Sequence, residues 1–405
     1  MNSKILHIGI DDTDSYCGRC TTNLAFKVTS KLTSELDSVF IDYPLLVRLN
    51  PNIPWKTRGN GAICLRIRTN QPRQIIEYLT KIVKVESDIQ NGANPGLVIY
   101  ESDTIPLSLR QFSAKALYDV LKLEDAEKLA SQLSINIFKY GEGLGVIGAL
   151  ASIGALLDGD HTYEVIAYRK EIFQGSPRKI DKSKVSKVSI DTHPFTFNNF
   201  DRIHDRVLIT PHGPDPVFCG IRGENPLAVI RALYYVLPIE KLEGYMVFRT
   251  NQGTNMHLQN PLSLRKIATY NAGYLRCRLT KKPRTIRGGH VLFEVSDFSN
   301  IKYPVAVYEP TGLGKIASKL IEGDEIDIGI GVSKKNSHSS SILNVEYLSI
   351  LKTADETVTI NPLCTKCGKR MKSEGKNKGF QCKKCGDKKC FKTFVTIQRD
   401  VQLGL

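Results

Sequence analysis

The sequence KILHIGIDDTDSYCGRCTTNLAFKVTSKL, residues 4–32, joins an apolar run to a helical one through a short acidic and polar loop. We predict a strand over Lys4–Ile10, a loop over Asp11–Cys20 and a helix over Thr21–Leu36. Four more elements follow: strands at Leu45–Leu49 and Ala62–Arg68, a helix at Pro72–Val83 and a strand at Leu97–Tyr100. The resulting βαββαβ order predicts an α+β sandwich, with its helices on one side of a sheet.

Residues 105–255 continue the alternation of helices and strands. Residues 105–135 have helical character, and a strand, a glycine-rich turn and an apolar helix follow at Asn136–Tyr140, Gly141–Gly145 and Val146–Leu157. We predict a second α+β unit from His161 to about Asn255, with strands at Tyr163–Arg169, Arg206–Ile209 and Tyr245–Arg249 and a helix at Pro226–Val236. The polar and basic segment Gly175–Asn199 is predicted to be a long loop or a domain edge.

Residues 260–352 have the pattern of a small β-barrel. A helix at Gly314–Leu320 lies between the third and fourth of five predicted strands, which are Gly273–Lys281, His290–Val295, Tyr303–Val307, Glu325–Val332 and Asn344–Leu351. This order is typical of an OB-fold, a barrel that often binds oligonucleotides, with another small barrel or sandwich as the alternative. In an OB-fold, Ser333–Ser341 would be a long exposed loop that contacts nucleic acid.

Four cysteines near the end of the chain have the spacing of a metal site. Cys364 and Cys367 form one CxxC pair, Cys382 and Cys385 form a second, and fourteen residues separate the pairs. Each pair places two thiolates on one tight turn, and two such turns complete the tetrahedron that Zn²⁺ prefers. Since four thiolates leave no open coordination position, we predict a structural zinc ribbon, with free thiols or disulfides as the alternative. The many lysines of this segment suggest that the ribbon contacts phosphates.

The charge of the chain points to a polyanionic partner. Its 405 residues carry a formal net charge of +15, with a pI near 9.2, so nucleic acid is the first candidate and a merely basic, solvated surface is the alternative. No stretch reaches the roughly 18–20 apolar residues of a membrane span, and the N-terminus lacks a signal-peptide pattern. We therefore expect no membrane partner and a reducing, cytoplasmic location. The sequence does not define the oligomeric state.

The acidic loop after the first strand has the composition of a nucleotide site. Three carboxylates crowd into four positions: Asp11, Asp12 and Asp14. They repel one another unless a cation neutralises them, and Mg²⁺ with a nucleotide triphosphate is the usual reason for such crowding. Gly18, Thr21 and Thr22 lead into the first helix, whose N-terminus suits phosphate. The alternative is an acidic turn with Thr21 or Thr22 as the helix N-cap.

A second segment adds cations to this predicted site. NPNIPWKTRGNGA, residues 50–62, contains the only tryptophan of the chain, two cations and two glycines ahead of a strand. We predict that Lys56 and Arg58 neutralise phosphate charge during group transfer and that Asn60 and Gly61 contact the nucleotide. A basic surface loop is the alternative. The sequence has no Walker A motif, so a nucleotide would bind without a P-loop.

These segments together resemble one family, the archaeal 2-agmatinylcytidine synthetases of isoleucine tRNA. The resemblance covers nearly the whole chain and rests on motifs in the family's order, which are GIDDTDS (9–15), CTT (20–22), NPNIPWKTRGNGA (50–62), HGPDPV (212–217) with GIRG (220–223), FRTNQGTNMHL (248–258) and the zinc ribbon. Tyr16 and Cys17, just before Gly18, depart from the family pattern and add a thiol. We expect Cys17 and Cys20 to bind no metal.

The resemblance implies an ATP-dependent carbon–nitrogen ligase that acts on tRNA. Such an enzyme would join agmatine to C2 of the wobble cytidine of an isoleucine tRNA with a CAU anticodon, so that AUA is decoded. ATP would phosphorylate the C2 oxygen, the primary amine of agmatine would displace it, and AMP and phosphate would be released. In the family the first threonine of the CTT motif is phosphorylated, which corresponds to Thr21. The implied cofactors are ATP, Mg²⁺ and structural Zn²⁺.

The resemblance also implies a multidomain α+β architecture. Its four domains would be a kinase-like, ATP-using catalytic domain (1–160), a ferredoxin-like, agmatine-binding domain (161–258), an OB-fold that binds tRNA (259–354) and the zinc ribbon (355–405). Agmatine is a dication, so its site needs an acid, and Asp215 is our candidate, with Gly213 and Arg222 as further substrate contacts. The alternative is a rigid proline turn whose aspartate only binds backbone.

Other functions remain open at this point. One is another ATP-dependent tRNA-modifying enzyme, and one is a non-catalytic RNA-binding protein built on the OB-fold and the ribbon. A metal-dependent phosphatase is suggested by Asp12-Thr13-Asp14, but it gives no reason for the basic C-terminal half. The crowded carboxylates argue against a simple binding module, which has no use for them.

Overall fold

The computed structural model describes residues 3–237, 240–297, 299–334, 341–397 and 399 of the chain. The chain divides into two compact units. The first contains residues 1–260 and 270–272, and the second contains residues 261–269 and 273–405. The chain changes from the first unit to the second after residue 260, and residues 270–272 return to the first unit.

The first unit alternates strands with helices. Its strands are β1 (Lys4–Asp11), β2 (Ser38–Phe40), β3 (Leu45–Arg48), β4 (Gly61–Thr69), β5 (Gly96–Glu101), β6 (Asn136–Lys139), β7 (Thr162–Arg169), β8 (Thr196–Phe197), β9 (Phe200–Asp201), β10 (Arg206–Val207), β11 (Val217–Gly223) and β12 (Leu242–Thr250). Its helices are α1 (Thr21–Ser34), α2 (Pro72–Glu86), α3 (Leu107–Ala116), α4 (Leu123–Gln132), α5 (Gly145–Gly154), α6 (Lys182–Asp191) and α7 (Pro226–Val236). The elements predicted for residues 4–100 are confirmed, with β2 as an additional short strand.

One sheet runs through this unit in the order β6-β5-β1-β4-β3-β12-β7-β11-β8, and β2 pairs with β4. Successive side chains of a strand point to opposite faces. Leu6, Ile8 and Ile10 of β1 pack with α1 and α2 in one core, whereas Gly9 faces α5 on the other side. Helices α3, α4 and α5 contribute to that second core. The prediction of helices on one side holds for α1 and α2, but the sheet is covered on both faces.

Strands β3 and β12 join the two halves of the sheet. They pair in parallel, with Leu46 opposite Thr250. The side chain of Asn251 extends this pairing, because its Oδ1 accepts from Arg48 N at 2.7 Å and its Nδ2 donates to Arg48 O at 2.9 Å. The strands that follow residue 160 are therefore built onto the same sheet as the first strands.

The segment Gly175–Asn199 differs from the predicted loop because it contains helix α6. Val185 and Val188 are buried one turn apart on this helix, and Asp181 caps it by accepting from two backbone N–H groups of the first turn. Lysine and serine dominate the helix, so its apolar periodicity rests on too few residues to predict it. Strand β11 was not predicted either, because glycines interrupt its apolar pattern.

The second unit contains a closed five-stranded barrel. Its strands are β13 (Ala272–Thr285), β14 (Val291–Ser296), β15 (Lys302–Val307), β16 (Glu325–Val332) and β17 (Leu343–Lys352), with α8 (Gly314–Ala317) between β15 and β16. The barrel closes in the order β13-β14-β15-β17-β16 around an apolar core that includes Val295 and Ile328. The five predicted strands and the helix between the third and fourth are confirmed. Most of the predicted loop Ser333–Ser341 lies outside the described residues.

Two small sheets complete the second unit. Strand β18 (Glu356–Ile360) pairs with β22 (Thr393–Ile397), and β19 (Lys372–Ser373), β20 (Phe380–Gln381) and β21 (Lys388–Lys389) form a three-stranded sheet. Met371 and Phe380 pack with cysteines in a small core of their own. Among the described parts of the chain, no helix combines the length and the apolarity needed to cross a membrane.

Replacement of Gly9 by Ala should destabilise the first unit. A Cβ at this position would lie 2.0 Å from the carbonyl oxygen of Ala149 in α5, and backbone cannot move aside as a side chain can. We expect the free energy of unfolding to fall by about 3 kcal/mol, as for other overpacked cores. Gly159→Ala is the matched control, because a Cβ there meets nothing within 4 Å. Chemical denaturation followed by circular dichroism measures both variants, and equal stabilities would contradict close packing of β1 on α5.

Candidate active site and zinc ribbon

A cleft opens at the carboxyl end of β1, lined by the N-terminal residues of α1 and α5. Its volume of ≈ 930 Å³ is near the upper end of the roughly 300–1,000 Å³ of small-molecule sites. The predicted catalytic and nucleotide-binding residues that line it are Asp11, Asp12, Asp14, Thr21, Thr22, Lys56, Arg58, Asn60 and Gly61. Gly18 is not among the lining residues, and its carbonyl instead accepts from Ser15 N at 3.1 Å within the acidic loop.

Asp11 and Asp12 are crowded and poorly solvated. Oδ1 of Asp11 accepts from the backbone N–H of Asp12 at 2.8 Å. Burial raises the pKa of Asp11 well above its ordinary value, and the charge of Asp12 adds to this effect. Burial also raises the pKa of Asp12 to about 6, although a hydrogen bond from the backbone of Asn94 opposes the shift. A bound cation would replace the lost solvation of both carboxylates.

Asp14 is the centre of a second cluster, at the start of α1. Its Oδ2 lies 3.1 Å from Nη1 of Arg58. Its Oδ1 accepts from the hydroxyl groups of Thr57 at 3.2 Å and Thr21 at 3.4 Å. Burial raises the pKa of Asp14, while Arg58 and Thr57 oppose that rise. The cluster therefore places a threonine hydroxyl beside a carboxylate that can accept its proton.

The N-terminus of α1 has no side-chain cap. Cys20 occupies the cap position and makes no side-chain hydrogen bond to the helix backbone, while its sulfur lies 3.1 Å from the hydroxyl of Thr22. The alternative in which Thr21 or Thr22 is the N-cap is therefore not observed. Uncapped N–H groups at a helix N-terminus are suited to bind phosphate.

Arg58 holds the acidic loop in place. Besides pairing with Asp14, its guanidinium donates to the carbonyl oxygens of Arg19 at 2.8 Å and Ser15 at 3.3 Å. Its backbone φ is 43°, in the left-handed region that is unfavourable for residues with a Cβ. The contacts of its side chain therefore offset a strained turn. Part of the positive charge of Arg58 is neutralised by Asp14.

Lys56, Asn60 and Gly61 complete the predicted set on the other side of the cleft. Lys56 lines the cleft, donates to the carbonyl of Ile53 at 3.3 Å and forms no ion pair with any residue that the structure describes. Asn60 donates from Nδ2 to the carbonyl of Asn50 at 2.8 Å, which closes the loop. Gly61 opens β4 and lines the cleft with its backbone.

Arg48, at the carboxyl end of β3, also lines the cleft and is not among the residues predicted from the sequence. Its Nε donates to Oε1 of Gln252 at 2.8 Å, and its Nη2 lies 3.4 Å from Oε2 of Glu164. Arg222 lies 3.3 Å from the other oxygen of Glu164. Burial lowers the pKa of Arg48, and the charge of Glu164 opposes the shift. A charged residue at the end of an otherwise apolar strand marks Arg48 as a candidate in the sequence, but it does not place the side chain in a particular cleft.

The residues predicted to bind agmatine do not line this cleft. Asp215 is buried, and its Oδ1 accepts from Val217 N at 3.0 Å and lies 3.3 Å from Nη2 of Arg178. A Cβ on Gly213 would lie 3.2 Å from the other oxygen of Asp215. Arg222 pairs with the buried glutamate described above. These contacts are those of the rigid-turn alternative, and binding of agmatine by Asp215, Gly213 and Arg222 stays a prediction.

The four cysteines of the predicted ribbon come together in the second unit. The Sγ atoms that lie within 4.8 Å of one another are those of Cys364, Cys367, Cys382 and Cys385. The Sγ atoms of Cys367 and Cys382 are 3.6 Å apart. Tetrahedral Zn–S bonds of about 2.3 Å separate sulfurs by roughly 3.8 Å, so four thiolates in this arrangement fit a zinc ion.

The two CxxC turns have the same backbone geometry. Gly368 donates to the carbonyl of Cys364 at 2.9 Å, and Gly386 donates to that of Cys382 at 2.8 Å. The φ angles of these glycines are 67° and 68°, a left-handed conformation that glycine adopts without steric cost. Hydrogen bonds from the backbone, chiefly that of Cys385, lower the pKa of Cys382 to about 7, whereas a hydrogen bond with the thiol of Cys367 raises the pKa of Cys385 to about 12.

The fold and the two sites define a mixed α/β multidomain protein. It has a cleft lined by acidic and basic side chains, a five-stranded barrel and a four-cysteine ribbon. Models of one family match three parts of the chain. They are the TiaS TCKD domain over residues 7–142, the TiaS FLD domain over residues 143–257 and the TiaS C-terminal zinc ribbon domain over residues 361–401.

Full-length relatives and solved structures agree with these matches. TiaS of Cenarchaeum symbiosum (strain A), a 2-agmatinylcytidine synthetase of isoleucine tRNA, is 39% identical, over 99% of this chain and 89% of that protein. TiaS of Methanosarcina acetivorans is 39% identical, over 98% and 93%. The crystal structure of TiaS in complex with isoleucine tRNA and ATP has a TM-score of 0.85 at 33% identity, over 99% of this chain and 93% of that chain. This chain therefore belongs to the TiaS family of 2-agmatinylcytidine synthetases, which confirms the family predicted from the sequence.

Replacement of Asp12 by Asn should stabilise the metal-free protein at neutral and higher pH. The pKa of Asp12 is about 6 in the folded chain against an ordinary 3.8, so the wild type loses stability as pH rises through this interval and does not regain it. Asn removes that loss and tolerates the φ of 54° at this position. We expect a gain of about 1–3 kcal/mol at pH 8, which vanishes near pH 4.

The measurement is chemical unfolding of both proteins across this pH range in the presence of a chelator. Asp158→Asn, at an exposed acid, is the control and should change the stability little at any pH. A stability difference for Asp12→Asn that does not change with pH would mean that the Asp12 carboxylate is well solvated.

Replacement of both Cys364 and Cys367 by Ser should release zinc and weaken tRNA binding. Two of the four thiolates would be lost, and the small ribbon core depends on the metal. We expect zinc content, measured by atomic emission, to fall to background and tRNA affinity to fall about tenfold or more. Cys390→Ser is the matched control, since this exposed cysteine lies outside the set of four. Unchanged zinc in the double variant would contradict the ribbon assignment.

Proposed function

We propose that this chain uses ATP to attach agmatine to C2 of the wobble cytidine of an isoleucine tRNA with a CAU anticodon, so that the tRNA reads AUA. Curated relatives that are 39% identical over nearly their whole length are named for this synthetase activity. A similar solved structure, with a TM-score of 0.83 at 30% identity, holds isoleucine tRNA, AMPCPP and agmatine. In this chain the supporting observation is the cleft that brings the acidic loop and residues 50–62 together.

The proposed reaction begins by activating the C2 oxygen, which is a poor leaving group. A phosphoryl group passes from ATP to this oxygen, and the primary amine of agmatine then attacks C2 and forms the new C–N bond. The C2–O bond breaks as the oxygen leaves with phosphate. One phosphoryl transfer by itself leaves ADP, so AMP forms when water cleaves the bond between the α- and β-phosphates and releases a second phosphate. Such transfers depend on positioning and charge neutralisation more than on covalent help. Lys56 and Arg58 line the cleft and remain our candidates for this neutralisation, and Arg48 lines it as well.

Thr21 is our candidate for the threonine that becomes phosphorylated. Its hydroxyl lies 3.4 Å from Oδ1 of Asp14, which would accept the proton as the oxygen takes the phosphoryl group. Because α1 begins at Thr21, the uncapped N–H groups of its first turn would stabilise the added phosphate. Thr22, Asn60 and Gly61 line the cleft, and we propose that they contact the nucleotide. Gly18 lies outside this lining and accepts from Ser15 N within the acidic loop.

Asp11, Asp12 and Asp14 are the candidates to hold Mg²⁺. Carboxylate oxygens and phosphate oxygens are the ligands that Mg²⁺ prefers. The raised pKa values of Asp11 and Asp12 result from burial, so this donor set fits a cation, while Asp14 already has Arg58 as a partner. Mg²⁺ would supply charge neutralisation for the phosphates.

We propose a division of labour among four domains. Residues 1–160 would form a kinase-like catalytic domain, and 161–258 a ferredoxin-like domain that binds agmatine. Residues 259–354 would form an OB-fold that binds tRNA with the zinc ribbon of 355–405. The net charge of +15 supports a polyanionic substrate, and the reaction would take place in the cytoplasm.

Agmatine binding at the proposed site requires an exchange of partners. Asp215 is occupied by Arg178 and by the backbone of Val217, so it would have to exchange a buried partner for the ligand. Gly213 would place its backbone beside the bound ligand. Arg222 carries the same charge as agmatine and would act only through the carboxylate that it pairs with.

Transfer of radiolabelled agmatine to an isoleucine tRNA transcript with a CAU anticodon tests the proposed reaction. Label should enter the tRNA only when ATP and Mg²⁺ are both present. We expect Thr21→Ala and Asp12→Ala to lower the rate at least about a hundredfold, because each removes a group from the reacting cleft. Binding of tRNA to both variants, measured by filter retention, should stay near that of the wild type.

The agmatine-transfer assay also provides the control and the outcomes that would contradict the proposed reaction. Thr33→Ala, at an exposed threonine of the same helix, should transfer agmatine normally. ATP turnover with RNA but without transfer would mean another ATP-dependent tRNA modification. If well-folded, zinc-loaded protein gave neither label nor ATP turnover, the non-catalytic RNA-binding alternative would be favoured. Loss of tRNA binding in Thr21→Ala would mean that Thr21 has a structural role and not a catalytic one.

A further inference from the structure

Trp55 lines the cleft, yet most of its side chain lies in solvent. It is 61% exposed, and it is the only tryptophan of the chain. A tryptophan has a large apolar surface that is normally removed from water. Neither nucleotide binding nor the acidic loop, as described above, uses this side chain. Its exposure at the cleft is therefore a feature that a further ligand would explain.

The ring of Tyr270 packs against the indole of Trp55. The two rings are 5.9 Å apart between centroids and make an angle of 89°, an edge-to-face contact. Such a contact uses the edge of one ring and leaves a face of the indole open to solvent. An aromatic side chain with one side supported and one face open is the usual form of a stacking platform for nucleic-acid bases.

The two rings are held by a rigid backbone. The side chain of Asn50 donates to the carbonyl of Tyr270 at 2.9 Å and to that of Asp119 at 3.2 Å, and the side chain of Asn52 donates to the carbonyl of Asn271 at 3.4 Å. The φ of Tyr270 is 70°, a conformation that persists in residues with a Cβ only where surrounding contacts maintain it. The platform is therefore pre-organised.

The positive charge near the indole indicates which class of ligand would bind there. Lys56 follows Trp55 directly and lies on the same cleft, and Arg58 lies two residues further on. Tyr16, which is 77% exposed, reaches this loop through its hydroxyl, 3.5 Å from the carbonyl of Lys56. An open aromatic face beside cations matches an unpaired nucleotide, whose base stacks while its phosphate meets the positive charge. The same cations would repel the dication agmatine.

We propose that the face of Trp55, braced by Tyr270, stacks on an unpaired base of the RNA substrate that is adjacent to the base entering the cleft. The inference rests on the proposed function for the identity of the RNA. A base must leave its stack to be modified, and the neighbouring base then loses a stacking partner. The indole would replace that partner and so hold the target nucleotide at the mouth of the cleft. Trp55 is in this sense a positioning residue for the RNA.

Intrinsic fluorescence tests the stacking directly, because the full, zinc-loaded chain has one indole and excitation at the long-wavelength edge of the absorption band avoids its tyrosines. The probe is an anticodon stem-loop with a CAU anticodon, and its variants carry an abasic residue at either nucleotide that flanks the wobble cytidine. We expect the intact stem-loop to quench Trp55 and one of the two flanking abasic variants to lose most of this quenching. An abasic residue in the stem is the control and should quench as the intact RNA does.

Kinetics test whether the contact positions the substrate. Trp55→Ala should lower kcat/KM for tRNA about tenfold or more, the effect expected for one lost stacking contact, with KM for ATP unchanged. Trp55→Phe should restore most of the loss, because it keeps an aromatic face. Tyr235→Ala is the matched control, since this tyrosine of α7 is 68% exposed and is not among the residues that line the cleft.

Each outcome decides the proposal. Quenching that no flanking abasic residue reduces, or wild-type kcat/KM in Trp55→Ala, overturns it. The fluorescence arm does not need turnover, so it is independent of the proposed reaction. Loss of quenching with a flanking abasic residue, in a protein that transfers no agmatine, would support the stacking contact and reject the proposed function. Normal agmatine transfer by Trp55→Ala would support the proposed function and reject the stacking contact.

Discussion

The close approach of α5 to the ends of β1 and β5 is the constraint on which the cleft depends. A Cβ on Gly9 would lie 2.0 Å from the backbone of α5, and a Cβ on Gly96 would lie 2.1 Å from it. On the helix side, a Cβ on Gly148 would lie 1.8 Å from Oδ2 of Asp11. Because side chains are missing at these positions, the Asp11 carboxylate is enclosed by protein and its pKa is raised.

This enclosure makes the acidic loop electrostatically unfavourable in the metal-free chain. Asp14 has Arg58 as an ionic partner, but Asp11 and Asp12 form no ion pair with any residue in the described ranges. A buried carboxylate without a cation destabilises the folded state. The first unit therefore tolerates this unfavourable interaction at its cleft because the rest of the sheet and its two cores are apolar and well packed. Binding a cation with phosphate would relieve it.

The barrel and the ribbon, both in the second unit, depend on different sources of stability. The barrel has an apolar core of its own, but the ribbon packs little more than Met371 and Phe380 against its cysteines. So small a core does not stabilise a fold without a metal or another covalent or ionic link. Loss of zinc should therefore affect the ribbon and leave the acidic cleft, which lies in the first unit, unchanged.

The sequence by itself determined the elements whose signals are local. The strand–loop–helix order of residues 4–32, helix Pro226–Val236, the barrel strands and the two CxxC turns were predictable, because periodicity and spacing act over a few residues. Only the tertiary structure decided that Leu46 pairs with Thr250 in one continuous sheet, that Arg48 enters the cleft, and that Trp55 rests on Tyr270. These contacts join residues far apart along the chain, and pairing over such a separation leaves no periodic trace in the sequence.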